Sequence, residues 1–465
     1  MGSQATPERY PGPNRQPMSS SPSRPTLDPT RRRYRLAVGA AVVLGLVLRL
    51  VWARWVAREP QGMVDPARYL GYARVIADGR GFIEPWSGFP TAYYPPGYPW
   101  FVGVVAWAGS PFTDNLPFLV AVVQAFLSAA SVALGAVVAR RLAGDRAGIV
   151  AAFALAVYPN LIFHSGAILG ETLYISLFLG FLAVALGREW PGDLTTRRTF
   201  VGGVVLGLAV MVRPISLAVI PAVALAWWMA GDRRRAARGV VALTVGVALC
   251  IIPWTVRNYI RMDSFVLLST NTGDNLCIGH APNATGAFGA NEWCATDHRF
   301  LDGPPAEIGA DREKTRRAID AIVDDPGREP WLVWRRLWFM WIRNGDHDGL
   351  IAVQSYRLDP FLARNGTEAK LARVADVAYW VVMGGGLAGL VIASRRRTPE
   401  GLLLVGSALM TAVVPLAFFG DSRFKVPVVP LLIIAAATMF KDPEPDVQEA
   451  TTSSDATLLS PPGTG

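Results

Sequence analysis

The sequence contains little charge for its length. Of its 465 residues, 17% are charged and 51% are hydrophobic, which is far from the balance of a soluble enzyme of this size. The formal net charge is +9, but no segment gathers basic residues with interleaved aromatic residues, as a nucleic-acid-binding face requires. The composition therefore argues against a soluble enzyme and against a nucleic-acid-binding protein. It indicates a polytopic membrane protein, whose partners include membrane lipids but not nucleic acid.

The sequence also lacks a cleavable signal peptide. The first apolar run follows the letters RRRYR and has no small-residue cleavage site, so we expect it to stay in the membrane as an anchor. Residues 1–34 have no apolar stretch and contain many Pro, Ser and Arg residues, which predicts a disordered cytoplasmic tail. Residues 441–465 are predicted to form a second disordered tail.

Apolar runs recur along the rest of the chain. A helix needs roughly 20 residues to cross the hydrocarbon core of a bilayer, and we predict an all-α polytopic membrane protein with about ten transmembrane helices. The runs lie at approximately 36–56, 118–138, 147–163, 168–187, 199–212, 215–230, 239–256, 376–394, 401–420 and 426–440.

Basic residues indicate how these spans are oriented. Clusters of Arg lie before the first run and in alternate loops, for example at 233–238 and 395–397, whereas the short connections 109–117 and 164–167 contain no Lys or Arg. The positive-inside rule then places both termini in the cytoplasm. We expect a multi-pass protein of the cell membrane with its active site on the extracytoplasmic face.

Two predicted outward segments are much longer than a turn, and we expect the functional site there. Residues 57–117 form the first outer loop within an N-terminal transmembrane module at 35–256. Residues 257–375 form an extracytoplasmic region of irregular loop and interfacial helices, because Gly, Asn and Asp favour turns and the Trp-rich, Arg-containing stretch PWLVWRRLWFMWIRNG suits the headgroup layer. Residues 376–440 supply the C-terminal transmembrane helices.

The chain has only three cysteines. Cys250 falls within a predicted span, where it is a small apolar packing residue. Cys277 and Cys294 both fall in the second outer segment, where disulfides persist, and we predict that they pair. Such a bridge would hold the loop together and would take no part in chemistry.

The stretch VDPARYLGYARVIADGRGF, at 64–82, places charge beside the membrane. On a helix, Tyr69, Tyr72 and Ile76 follow Asp65 along one stripe. An Asp followed by Pro is a favourable start for a helix, because the carboxylate accepts hydrogen bonds from free amides of the first turn. Capping and catalysis are compatible roles for Asp65, and the residues alone leave both open.

The order of several motifs resembles that of the GT-C glycosyltransferases. The letters LRLVWAR, then VDPARYLGYARVIADGRGF, YYPPGYP, IPWTVRNYI and DSRFKVPVVPLL resemble the bacterial relatives of protein O-mannosyltransferases and of lipid A aminoarabinose transferases, over about residues 35–440. The resemblance implies a GT-C-like bundle. It also implies transfer of a sugar, with inversion, from a polyprenyl-phosphate donor to a hydroxyl of an acceptor glycan, lipid or protein.

The resemblance assigns the role of catalytic base to Asp65. Many relatives carry a second acidic residue directly beside the first, but Pro66 stands there in this sequence. Glu171 is the next candidate, as an assistant to Asp65, a holder of the acceptor or a cation ligand; a first-turn acid favoured by the helix dipole is an equal alternative. His164 lies across the same connection, but one His and one acid fall short of a metal site. We predict no metal site and no cofactor, and leave a divalent cation open.

A departing lipid phosphate calls for cations at the outer ends of the spans. The predicted topology puts Arg213, Arg257, Arg423 and Lys425 there, and a buried Arg213 would be expensive without an anionic partner. Snorkelling to lipid headgroups is the alternative for the other three. Tyr93 and Tyr94 belong to a stiff connector that either supports the interface or lines the substrate pocket, for which His164 is a further candidate.

Two other functions are compatible with a polytopic protein. A secondary transporter would place ionisable residues near the bilayer midplane and show inverted repeats, and the sequence shows neither feature. A lipid-linked saccharide ligase or polymerase would share the basic outer pocket but use a pyrophosphate-linked donor. It remains the alternative among enzymes.

Overall fold

The regular structure of the chain is helical. The computed structural model describes Gly2 and residues 29–60, 65–187, 194–289, 292–295, 302–342, 346–347, 349–350 and 366–442. Within these ranges the β contacts are two isolated bridges, Ile83 with Pro90 and Ala287 with Gly420. The prediction of an all-α protein is therefore confirmed. Most of the two predicted tails, 3–28 and 443–465, lies outside the described residues.

The helices follow one another with short connections. They are α1 (Pro29–Val56), α2 (Asp65–Ala77), α3 (Gly97–Gly109), α4 (Leu116–Ala143), α5 (Asp145–Val157), α6 (Pro159–Ser165), α7 (Glu171–Leu186), α8 (Thr196–Val212), α9 (Ile220–Met229), α10 (Arg233–Met262), α11 (Thr272–His280), α12 (Pro304–Asp324), α13 (Glu329–Trp341), α14 (Thr367–Arg396), α15 (Pro399–Val413) and α16 (Val429–Ala437). Short 3-10 turns include Pro214–Val219, Val414–Ala417 and Ser422–Lys425.

Helix α1 begins earlier than the sequence analysis places the first span. It starts at Pro29, so 29–34, included above in the predicted tail, form its polar first turns. Proline is tolerated there because the first turn of a helix leaves its backbone N–H groups unpaired in any case.

Several helices have the length and composition of membrane spans. Among the described residues α1, α4, α10, α14 and the run Pro399–Ala417 are long and apolar enough, and α5 with α6 would make a sixth span bent by 56°. The apolar segments Glu171–Leu186, Pro214–Met229 and Val429–Phe440 are shorter, and a helix of about 16 residues is only about 24 Å long. Length and composition thus indicate a multi-pass membrane protein with five to six spans, and they do not show the ten that we predict.

The break between α5 and α6 is stabilised by a buried arginine of α1. Pro159 has no N–H, so the carbonyl of Leu155 loses its helical donor. Arg49, which is fully buried, donates to the carbonyl oxygens of Leu155 and Ala156 at 3.0 and 2.8 Å, and its Nε donates to Ser128 Oγ at 2.6 Å. Arg49 therefore satisfies the backbone carbonyl groups that the bend leaves without helical donors.

Helices α8 and α10 pack with their backbones close together. A Cβ atom at Gly203 would lie 2.1 Å from the carbonyl oxygen of Leu243, and one at Gly246 would lie 2.5 Å from that of Phe200. Small residues of this kind let two apolar helices approach until their backbones touch. The contact fixes the end of α8, where Arg213 follows.

The segments that the sequence analysis predicts to face outward contain short helices. Helices α11 and α12 pack together, and a disulfide joins Cys277 of α11 to Cys294. In α13 the side chains of Leu332 and Met340 are buried, while Trp331, Trp334 and Trp338 are exposed on the opposite side. Cys250, in α10, is half-buried.

Candidate active site

Asp65 is the first residue of α2, and its carboxylate is held by two side chains. Oδ1 accepts a hydrogen bond from the hydroxyl of Tyr94 at 2.6 Å, and Oδ2 accepts one from Nη1 of Arg423 at 2.8 Å. The side chain is nevertheless 37% exposed. Asp65 therefore has a defined orientation and an open side from which another molecule can reach it.

Arg423 links Asp65 to a second carboxylate. It lies in the 3-10 turn Ser422–Lys425, and its Nε donates to Oε1 of Glu171 while Nη2 lies 3.5 Å from Oε2. Burial by itself would lower the pKa of Arg423, but the carboxylates of Glu171 and Asp65 more than offset this, and the pKa is raised well above its ordinary value. The guanidinium remains charged throughout the physiological range.

Glu171 joins two arginines. It is the first residue of α7 and is fully buried, and Nη2 of Arg213 donates to its Oε1 at 2.5 Å. Arg213 has extended backbone between α8 and the 3-10 turn Pro214–Val219, so its side chain leaves the end of a helix. The four residues form a chain of alternating charge, Asp65–Arg423–Glu171–Arg213, which we call the open cluster. The charges of its two carboxylates and two guanidinium groups cancel.

Aromatic rings form a wall beside Asp65. The ring of Tyr94 lies 4.9 Å from that of Tyr69, which in turn meets Tyr98 edge to face at 5.0 Å. Tyr98 donates to Gln124 of α4 at 3.0 Å, which anchors the wall to a long helix. Tyr93 points elsewhere, because its hydroxyl donates to Asp274 of α11 at 2.7 Å.

Arg257 and Lys425, which were also predicted as site residues, make their contacts outside the open cluster. Arg257 donates to the backbone carbonyls of Phe82 and Thr91, and so joins the two limbs of the first outer loop to α10. Lys425 is buried, with Nζ 3.8 Å from Asp346 and 4.4 Å from the ring centroid of Tyr379.

His164 is also buried within the bundle. It lies in α6, and its Nδ1 is 3.0 Å from the carbonyl oxygen of Asn160. It lines a small cavity together with Arg49, Ser128 and Thr172. Within the described ranges, no group of three or more His, Cys, Asp or Glu side chains is arranged to hold a metal ion.

Asp346 and Glu84 are among the buried carboxylates that the sequence analysis missed. Asp346 accepts hydrogen bonds from Tyr158 and from Asn160, the latter at 2.7 Å. Glu84, in the first outer loop, accepts from Tyr72 at 2.6 Å and from Arg68 at 3.2 Å. Both stand in short polar stretches between apolar ones, but no periodicity or spacing connects either residue with its partners.

The fold has counterparts among solved structures, although no protein-family profile and no curated protein matches the sequence. The oligosaccharyltransferase of Archaeoglobus fulgidus with Zn and sulfate aligns with a TM-score of 0.53 at 16% identity, covering 91% of this chain and 51% of that one. The same organism's oligosaccharyltransferase AglB, in complex with an inhibitory peptide and a dolichol-phosphate, aligns with a TM-score of 0.50 at 15% identity, covering 94% of this chain and 53% of that one. ArnT from Cupriavidus metallidurans bound to undecaprenyl phosphate aligns with a TM-score of 0.39 at 16% identity, covering 92% of this chain and 80% of that one.

These alignments concern the fold. The chain spans about half the length of the oligosaccharyltransferases that it matches. Identities of 15 to 16% leave the chemistry to be argued from the residues of this chain. The resemblance that the motifs predict is confirmed at the level of architecture: the chain has a GT-C-like fold.

Proposed function

We propose that the chain is an integral-membrane glycosyltransferase that moves a sugar from a polyprenyl-phosphate donor to an acceptor hydroxyl on the extracytoplasmic face. The observation that carries the proposal is the open cluster, in which the accessible carboxylate of Asp65 contacts the guanidinium of Arg423, and Glu171 links that guanidinium to Arg213. The fold supports it, since an oligosaccharyltransferase of the same fold binds a dolichol-phosphate and a peptide. About ten spans, with both termini in the cytoplasm, belong to the same proposal.

Asp65 is the base in this proposal. The acceptor oxygen attacks the anomeric carbon, the bond from that carbon to the phosphate oxygen breaks, and the hydroxyl proton passes to the exposed side of the carboxylate. Inversion follows from a single displacement. Glu171 is unsuited to this task, because it is fully buried and both of its oxygens face arginines. Its proposed role is to hold Arg213 and Arg423 in place.

The charges of the open cluster suit the departure of a phosphate. The donor diester carries one negative charge, and the monoester that leaves carries about 1.5 to 2 near neutral pH. When Asp65 takes up the proton it loses its charge, so Arg423 becomes less compensated as the phosphate gains charge. Arg423 and Arg213 would therefore stabilise the transition state more than the bound donor, which is the condition for catalysis.

The remaining predicted residues have supporting roles in this proposal. Tyr94 orients Asp65, and Tyr93 supports the ring of Tyr94, which it meets edge to face at 5.0 Å, while its own hydroxyl is held by Asp274. Arg257 holds the first outer loop, and Lys425 fixes the turn that carries Arg423. His164, within the bundle, is not assigned to the substrate pocket.

The test is sugar transfer by the purified protein in liposomes. Radiolabelled polyprenyl-phosphate sugars and polyprenyl-pyrophosphate sugars are supplied in parallel with a mixed acceptor extract, and wild type is compared with Asp65→Asn. Asp78→Asn is the matched control, because Asp78 is exposed at the end of the same helix. Equal transfer by wild type and Asp65→Asn would reject Asp65 as the base. Transfer from pyrophosphate donors alone would favour the ligase or polymerase.

A further inference from the structure

Glu84 is a fully buried carboxylate that the proposed reaction does not use. It stands in a tight turn of the first outer loop, where its N–H donates to the carbonyl of Phe89 and its carbonyl accepts from the N–H of Gly88, both at 2.8 Å. A buried charge is costly unless it is paired and hydrogen-bonded. The partners of Glu84 therefore indicate what the carboxylate does.

Both partners of Glu84 lie on α2 and both contact the ring of Tyr94. The guanidinium carbon of Arg68 lies 5.1 Å from the ring centroid of Tyr94 and 4.6 Å from that of Tyr93. The ring of Tyr72 meets the ring of Tyr94 edge to face at 6.0 Å. A cation over an aromatic face and an edge-to-face pair are both attractive arrangements. Glu84 thus restrains Tyr94 from two sides.

We propose that Glu84 is a positioning residue, which holds Arg68 and Tyr72 against Tyr94 so that the Tyr94 hydroxyl fixes the carboxylate of Asp65. The proposal rests on the proposed role of Asp65 as base. The carboxylate of Glu84 comes from the loop that follows α2, and it reaches Asp65 only through Arg68, Tyr72 and then Tyr94.

The geometry makes a specific prediction about coupling. If Glu84 acts through the hydroxyl of Tyr94, its loss should matter only while that hydroxyl is present. Glu84→Gln keeps the size of the side chain and removes its charge, so Arg68 loses its counterion. Glu59→Gln is the matched control, since Glu59 forms an exposed pair with Arg74 at 2.7 Å.

The experiment measures turnover and donor KM for Glu84→Gln, Tyr94→Phe and the double variant. We expect Glu84→Gln to lower kcat about tenfold, as a misplaced reacting group does, while donor KM changes less than about twofold, because the phosphate ligands are untouched. The double variant should be no slower than Tyr94→Phe alone. The proposal would be overturned if the fall in kcat of the double variant equalled the product of the two single-variant falls, or if Glu84→Gln left kcat unchanged.

A second readout does not depend on activity. A water-soluble carbodiimide with an amine nucleophile labels accessible carboxylates, and mass spectrometry gives the labelling rate of Asp65. We expect Glu84→Gln to raise this rate several-fold, Tyr94→Phe to raise it equally, and the double variant to add nothing. If wild type transfers no sugar from any donor, the glycosyltransferase proposal fails, while the labelling rates still decide whether Glu84 positions Asp65. Should Glu84→Gln not fold, Arg68→Met carries the same predictions.

Discussion

Two groups of opposite charges meet at the turn Ser422–Lys425, and they differ in their access to water. Arg423 belongs to the open cluster, where Asp65 is 37% exposed. Lys425, two residues later, belongs to a buried group with Asp346, in which the two side chains are 1% and 0% exposed. We call the second group the closed pair. One short turn thus supplies a cation to each group.

The difference in exposure separates chemistry from support. A carboxylate that water can reach exchanges protons and meets solutes, whereas a buried pair contributes only through the arrangement that it holds. Asp346 joins the turn of Lys425 to two helices, since it accepts from Tyr158 and Asn160 at the start of α6 and its N–H donates to Asp376 of α14 at 2.9 Å. The closed pair therefore ties the arginine-bearing turn to the bundle.

The largest expected effect is on the open cluster. Asp65→Asn should lower kcat by about 10²–10⁴, the usual contribution of a general base, with little change in thermal stability because the side chain is partly exposed. Turnover and the melting temperature of the same preparation measure both quantities. A comparable loss in Asp78→Asn would show that the effect is not specific to Asp65.

The closed pair should show the opposite pattern. Lys425→Met leaves Asp346 as an uncompensated buried charge, which costs about 3–5 kcal/mol in comparable pairs. We expect a clear fall in melting temperature in detergent, partly restored in the double variant Lys425→Met/Asp346→Asn. Loss of turnover without loss of stability would mean that Lys425 belongs with the reacting groups.

A smaller effect is expected at the donor side of the open cluster. Arg213→Ala removes a charge-assisted contact worth about 1.5–3 kcal/mol, so kcat/KM for the donor should fall about 10- to 100-fold. Arg213→Lys keeps the charge and should recover part of the loss. Kinetic constants for Arg213→Ala equal to those of wild type would remove Arg213 from the phosphate site.

The smallest expected effect is on pH dependence. Burial raises the pKa of Glu307 above its ordinary value of 4.5. Hydrogen bonds from Thr270, Thr91 and Ala92 act in the opposite direction, but they do not cancel the effect of burial. The folded state therefore binds this proton more tightly than the unfolded state. The resulting stability is present below about pH 4.5 and is lost as the pH rises through the raised pKa.

Glu307→Gln removes the titratable proton, and with it this contribution to the pH dependence of stability. The melting temperature of the variant, measured from pH 4 to pH 8, should fall less with rising pH than that of wild type. Parallel curves for the two proteins would contradict the assignment. The result would also show whether Glu307, which belongs to neither the open cluster nor the closed pair, affects stability as the closed pair is expected to do.

The sequence predicted the members of the open cluster one at a time. Glu171, Arg213 and Arg423 stand next to apolar runs, where a charged residue is conspicuous, whereas Asp65 was singled out by the resemblance of its motif to those of the GT-C glycosyltransferases. Their mutual contacts were beyond reach, because Asp65 and Arg423 are 358 residues apart and no periodicity relates them. Glu84 was missed for the same reason, since its importance depends on which side chains surround it.

The number of spans shows a further limit. Hydropathy detects apolar runs, but it does not show where proline divides one run into two bent pieces, as at Pro159, or leaves a piece too short to cross alone. The bend between α5 and α6 depends on Arg49, over 100 residues away in sequence. Local patterns therefore gave the fold class and left the path of the chain open.

The turn Ser422–Lys425 imposes a rule on sequence change. Its two cations face separate partners and are spaced by Phe424 alone, so inserting or deleting one residue would rotate at least one of them away from its carboxylate. Homologues that keep both groups should accordingly keep the length of this segment, and the length becomes a diagnostic feature by which such homologues are recognised.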